Sequence, residues 1–125
     1  MPTYKTSPYN TALQSKLVIA DDIDTTGVHD ATGAPGAIFA VDIRNGAATT
    51  EWLNIYDNGN PVIGTTEPEL IFPVGSTTGY VVYIDTGIAF ASALSMTASN
   101  APGGGSGASP ANLDVRVFVS NTVRT

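Results

Sequence analysis

His29 is the only imidazole in the chain, so any nucleophile–imidazole–carboxylate relay would have to run through it. It stands in a polar stretch that begins at Asp21 and ends at Pro35, with no Gly-x-Ser-x-Gly elbow to supply a partner. A solvent-facing loop histidine is the expectation. Asp21, Asp22, Asp24 and Asp30 in the same stretch are hard oxygen donors of the kind that hold Ca²⁺. Their spacing is not that of an EF-hand and no Glu closes the loop, so they read as solvated turn carboxylates. Asp57, Glu67 and Glu69 could be paired for glycoside hydrolysis. Pro68 separates the two glutamates in a turn, and nothing sets the three across a cleft. Gly103 to Ala108 formally matches Gly-x-Gly-x-x-Ala, but Ser109-Pro110 follows where a dinucleotide site needs a helix. Trp52, Asn54 and Tyr56 alternate on one strand face, a set that can stack on sugars. A core role for Trp52 is the simpler reading. No catalytic residue, metal ligand or cofactor site is expected, and the chain is not read as an enzyme.

The elements that would position these residues are all strands. No ten-residue window carries helical periodicity, whereas turn signals recur at close intervals. Leu13 to Ile19 suggests a first short strand, and residues 21–35 a long loop with almost no core material. Gly36–Arg44 and Ala47–Tyr56 flank Asn45-Gly46, the dipeptide favoured in two-residue hairpins. A hairpin there would set Phe39 against Trp52, Val41 against Thr50 and Ile38 against Leu53. Phe39, Val41, Ile43 and Trp52 would then form the core face. Ile38, Ala40, Leu53 and Ile55 would form a second face too apolar to be simply wet. Glu69–Val74 is bracketed by Pro68 and Pro73, which places it at a sheet edge or bend. Tyr80–Ile84 and Ile88–Ala98 are further strands. Residues 99–111 form a Gly/Ser/Pro loop. Last, Leu113, Val115, Val117 and Val119 alternate with Asp114, Arg116, Phe118 and Ser120, the period of a half-buried strand.

Seven or eight strands without a helix predict a single antiparallel β-sandwich, jelly-roll-like or immunoglobulin-like, with a closed barrel as the alternative. The domain is expected over residues 15–125, preceded by an extended arm over 1–14, which contains Pro2 and Pro8. A chain of 125 residues can hold a core without staples, and it has no cysteine for a disulfide or a Cys-ligated zinc. Five cations against 11 carboxylates, scattered along the chain, argue against binding a phosphate backbone, so no nucleic-acid partner is expected. No run of 18 apolar residues predicts a membrane span, and Met1 to Tyr9 has no apolar core of a signal peptide. Only 13% of residues are charged, few enough to suggest that partners cover part of the surface. Tyr4, Tyr9, Tyr80 and Tyr83 are the candidate contact aromatics, with Leu53 and Ile55 of the second apolar face beside them.

From Ile55 onward a phrase of residues carries a resemblance. It comprises Ile55-Tyr56-Asp57-Asn58, then Pro61-Val62-Ile63-Gly64-Thr65-Thr66-Glu67-Pro68, Leu70-Ile71-Phe72-Pro73-Val74, and Asp85-Thr86-Gly87-Ile88-Ala89-Phe90 leading into Leu94. This resembles a pattern in small virion proteins of tailed bacteriophages, over roughly the C-terminal 70 residues. Ala91-Ser92-Ala93 stands where the pattern more often has Ser-x-Gly. The resemblance implies a capsid cement (head-decoration) protein, made in the host cytoplasm and carried on the virion. It further implies a homotrimer that binds the major capsid protein, gripping it through the arm and loop 21–35. A fibre, spike or head-knob module that binds host surface glycans is the alternative.

Overall fold

The structure is a computed structural model and describes residues 3–6, 16–23, 27, 32, 35–62, 65–101 and 113–120. Among them are eight strands and no helix: β1 (Thr3–Thr6), β2 (Lys16–Ile23), β3 (Gly36–Asn45), β4 (Glu51–Asp57), β5 (Leu70–Val74), β6 (Gly79–Phe90), β7 (Leu94–Ser99) and β8 (Leu113–Ser120). They form two antiparallel sheets, a five-stranded one in the order β1-β2-β8-β3-β6 and a three-stranded one in the order β5-β4-β7. The predicted β-sandwich is therefore what this chain forms.

The last strand decides which sandwich it is. In an immunoglobulin domain the final strand joins the sheet of the third and sixth. Here β8 lies between β2 and β3 in the larger sheet, and the order β2-β8-β3-β6 against β7-β4-β5 is that of a jelly roll. A jelly roll places one more segment beside β7, between β2 and β3 in sequence. The two described residues of that connection with contacts there agree. A Cβ on Gly27 would overlap the Met96 carbonyl oxygen, and the Thr32 hydroxyl accepts from Leu94 N at 3.2 Å.

Period-two patterning puts the core between the sheets. Leu113, Val115, Val117 and Val119 of β8 are fully buried, as are Val18, Ile23, Val41 and Ile43 from the same sheet. Leu53, Ile55, Leu94, Met96 and Ala98 meet them from the smaller sheet. Each valine, leucine, isoleucine or methionine among them contributes roughly 1.5–3 kcal/mol by leaving water. β5 is an edge strand, as its prolines predicted.

Several expectations are corrected. The strands flanking Asn45-Gly46 do not pair, so Phe39 does not face Trp52 and Ile38 does not face Leu53. β3 pairs with β6 and β8, and β4 with β5 and β7. Residues 46–50 carry the chain from one sheet to the other. The physical reason lies in the Asn45 side chain, which is only 3% exposed. Its Nδ2 donates to the carbonyls of Thr49 (2.9 Å), Val74 (3.0 Å) and Gly75 (3.2 Å), while its Oδ1 accepts from Ala47 N at 2.8 Å. The residue is a buried joint that ties the crossover to the end of β5. It is not a hairpin tip.

β2 continues to Ile23, which is buried in the core, so the loop begins later than Asp21. β6 runs through Phe90, and residues 91–93 turn the chain into β7. Thr3–Thr6 of the expected extended arm pair with β2 as a sheet edge. Most of the arm and of loop 99–111 lies outside the described residues.

Candidate interaction surface

The residues with chemical potential do not gather. His29, Asp24 and Asp30 lie outside the described residues, as do Tyr9 and the side chains of Tyr4 and Asp22. Asp21 is half-buried on β2. Among the described residues no group of three His, Cys, Asp or Glu side chains is placed to hold a metal ion. Nor, among them, is any helix long and apolar enough to cross a membrane.

Asp57 has a structural task at the end of β4. Its Oδ2 accepts from Ala91 N and its Oδ1 from Ser92 N, each at 2.8 Å, which fixes the turn between β6 and β7. A carboxylate taking two backbone N–H groups at once makes charge-assisted bonds, stronger than neutral ones. Glu67 and Glu69 are exposed in the loop that precedes β5, and the Glu69 backbone N donates to Ile55 O at 2.7 Å.

The face carrying Trp52, Asn54 and Tyr56 is not an open sugar platform. Asn54 and Tyr56 are fully buried and Trp52 half-buried. Asn54 Nδ2 donates to Ser99 Oγ at 2.9 Å and to Thr97 Oγ1 at 3.3 Å. The Tyr56 hydroxyl shares a 3.3 Å bond with the same Thr97 oxygen. Buried polar atoms need partners, and here neighbouring strands supply them.

Of the six expected contact residues, Leu53 and Ile55 are core and therefore unavailable to a partner of the folded domain. The reason is the lost hairpin: with β4 in the smaller sheet, these two side chains point between the layers. Tyr80 packs against the core, and its hydroxyl donates to Pro73 O at 2.7 Å, joining β6 to β5 where the two sheets meet at one side. Burial raises its phenol pKa. Tyr80 is a latch within the domain. Tyr4 is on β1 with its backbone opposite Ala20.

Tyr83 is different. It is 77% exposed on β6, and across β3 the register brings Phe118 of β8 into its row, since both pair with Ala40. Phe118 is 49% exposed and Val81, two residues from Tyr83, is 43% exposed. These three form an apolar strip on the outer face of the larger sheet. Val81 shares its row with one charged pair, and a second charged pair lies in the row of Gly79. Asp42 pairs with Arg116 and Arg44 with Asp114 in direct cross-strand register.

A bulge shapes one end of the strip. Between the Ile38–Ile88 and Ala40–Tyr83 pairs, the single residue Phe39 opposes the four residues 84–87 of β6. Gly87 sits there at φ +77°, in the left-handed region, and the Phe39 ring lies so close that a Cβ would come within 2.8 Å of its Cε1. The bulge interrupts the free edge of β6, which protects a long edge strand from open-ended pairing. Among the described residues, Val81, Tyr83 and Phe118 are the exposed large apolar side chains of this sheet.

Val81 and Phe118 were not among the expected contact residues. The signal for Phe118 was present, because it is an aromatic residue at an outward position of β8, in line with Asp114 and Arg116. Fold and surface together define a jelly-roll domain with an exposed aromatic strip on its larger sheet. No protein-family model, curated protein or solved structure matches the chain.

Proposed function

We propose that this chain is a non-catalytic structural protein of a tailed-phage virion, of the cement type. In this reading it decorates the outer surface of the head as a homotrimer and stabilises the shell of the major capsid protein. The observation that carries the reading is the exposed strip of Val81, Tyr83 and Phe118. Two features support meeting through it. Copies that each carry a net charge of −6 repel one another, and least where the local charge cancels, as it does among Asp42, Arg44, Asp114 and Arg116. Tyrosine and phenylalanine are also enriched in interface cores, where charge is depleted. The jelly roll recurs in viral capsid and lectin domains, and the residues from Ile55 to Leu94 resemble those of small phage virion proteins. Contacts to the major capsid protein are assigned to the N-terminal arm and the connection between β2 and β3. A partner that binds only the assembled shell stabilises it by mass action.

Glycan binding through Trp52, Asn54 and Tyr56 is not favoured, because Asn54 and Tyr56 are buried and bonded within the domain. The test is co-sedimentation of the purified chain with expanded, undecorated heads of the virus that encodes it. Saturable binding in multiples of three per capsid hexamer or pentamer junction is expected, with occupancy falling for Tyr83→Glu/Phe118→Glu. Heads that pellet without the wild-type chain at saturating concentration would remove the reading.

A further inference from the structure

The chain contains two Asn-Gly pairs, Asn45-Gly46 and Asn58-Gly59, and the structure places them in opposite chemical situations. Asn-Gly is the dipeptide most open to deamidation, because glycine lacks the Cβ that would hinder approach to its own amide nitrogen. In that reaction the glycine nitrogen, having lost its proton to base, attacks Cγ of asparagine. A C–N bond forms, the Cγ–Nδ2 bond breaks, and ammonia leaves with a proton from water. Water then opens the resulting succinimide ring at either carbonyl, giving aspartate or isoaspartate. The net change replaces NH₂ by OH and adds one negative charge.

At Asn58 the geometry favours this chemistry. Its Oδ1 accepts from Asn60 N at 2.7 Å, an Asx turn that spans Gly59 and polarises the carbonyl under attack. Both backbone anchors are on Asn58 itself, at the start of the turn: its N donates to Ala93 O at 3.0 Å, and its O accepts from Ser95 Oγ. Asn58, Gly59 and Asn60 are all solvent-accessible, so water can reach the leaving nitrogen and protonate it. Asn45 makes the same short turn to Ala47 N, but its Nδ2 is held as a donor by three backbone carbonyls in a site 3% exposed. An amide nitrogen whose two N–H groups are shared among three carbonyls cannot easily pyramidalise and take a proton, and the product carboxylate would face the oxygens of Thr49, Val74 and Gly75.

We propose that Asn58 is a deamidation site of the folded protein, whereas the identical dipeptide at Asn45 reacts only when the chain unfolds. The fold thus selects which of two equivalent sequences ages, and it exempts the one on which folding depends.

The test incubates the full-length chain in mildly alkaline buffer, folded and in concentrated urea, and follows each peptide by mass spectrometry with an isoaspartate assay. In urea the two sites are expected to convert at similar rates. In the folded chain Asn58 keeps converting, while Asn45 slows by about a thousandfold or more, the scale of a domain's folding equilibrium constant. Gly59→Ala, at a position without positive φ, serves as the control and is expected to slow Asn58 alone. Equal folded-state rates at the two sites would overturn the proposal. So would an Asn58 that stays intact in the folded chain while the urea sample converts.

Discussion

Asn45→Ala is expected to lower the unfolding free energy by about 3–5 kcal/mol, a large share of the stability of an ordinary domain. The substitution removes two N–H donors shared among three carbonyls, and one accepted bond, at a buried or part-buried joint. A net hydrogen bond is worth only about 1 kcal/mol, but a buried group left without a partner costs more. Here the carbonyls of Thr49, Val74 and Gly75 all lose their shared donor. Asn45→Asp is expected to be at least as damaging, since it presents oxygen to oxygen while keeping the shape. Urea unfolding of the two variants against wild type measures both. A loss below about 1 kcal/mol for Asn45→Ala would mean that the crossover between the sheets does not depend on this side chain.

Gly36→Ala is the second large effect. β3 begins at Gly36, opposite Phe90 of β6 and beside the end of β8. A Cβ there would overlap the Ser120 carbonyl oxygen and lie 3.1 Å from Phe90 Cζ. The ring can yield, but the backbone carbonyl of a neighbouring strand cannot without parting β3 from β8. A loss of about 2–4 kcal/mol is expected, at the upper end of overpacking costs. Gly75→Ala is the internal comparison, because its Cβ would find no atom nearer than Thr78 Oγ1 at 4.0 Å. That variant should change stability by less than about 0.5 kcal/mol. Similar losses from the two glycines would contradict the packing described at the start of β3.

Comparing these positions shows which information was local. β8 was legible because four valine or leucine positions at period two need only a sheet with one buried face. The edge position of β5 was legible because Pro73 lacks a backbone donor. The partner of β3 was not. Asn-Gly reports that the chain can turn tightly, and both a hairpin and a passage between sheets require that. What separates them is the set of acceptors around Asn45 Nδ2, two of which come from residues about thirty positions later in the chain. That one pairing decides the place of Leu53 and Ile55: a hairpin would put them on a contact face, whereas the two-sheet arrangement puts them in the core. Ile23 was hidden among aspartates for a related reason. A bulge in the pairing of β2 with β8 after Ala20 brings Ile23 opposite Leu113, and no local pattern announces a bulge. In the contact surface, Tyr83 was legible as an aromatic in a β-rich run. Tyr80, three residues earlier, was indistinguishable from it until the bond to Pro73 was seen.

Sedimentation equilibrium of the purified chain, with and without Tyr83→Glu/Phe118→Glu, bears most directly on the proposed role of the aromatic strip. Wild-type protein is expected to sediment as three chains of 12.9 kDa each. The double variant should fall to one chain while its circular dichroism spectrum stays unchanged, because neither side chain is part of the core. A wild-type chain that remains single at its highest soluble concentration would contradict the assignment, as would a double variant that keeps three.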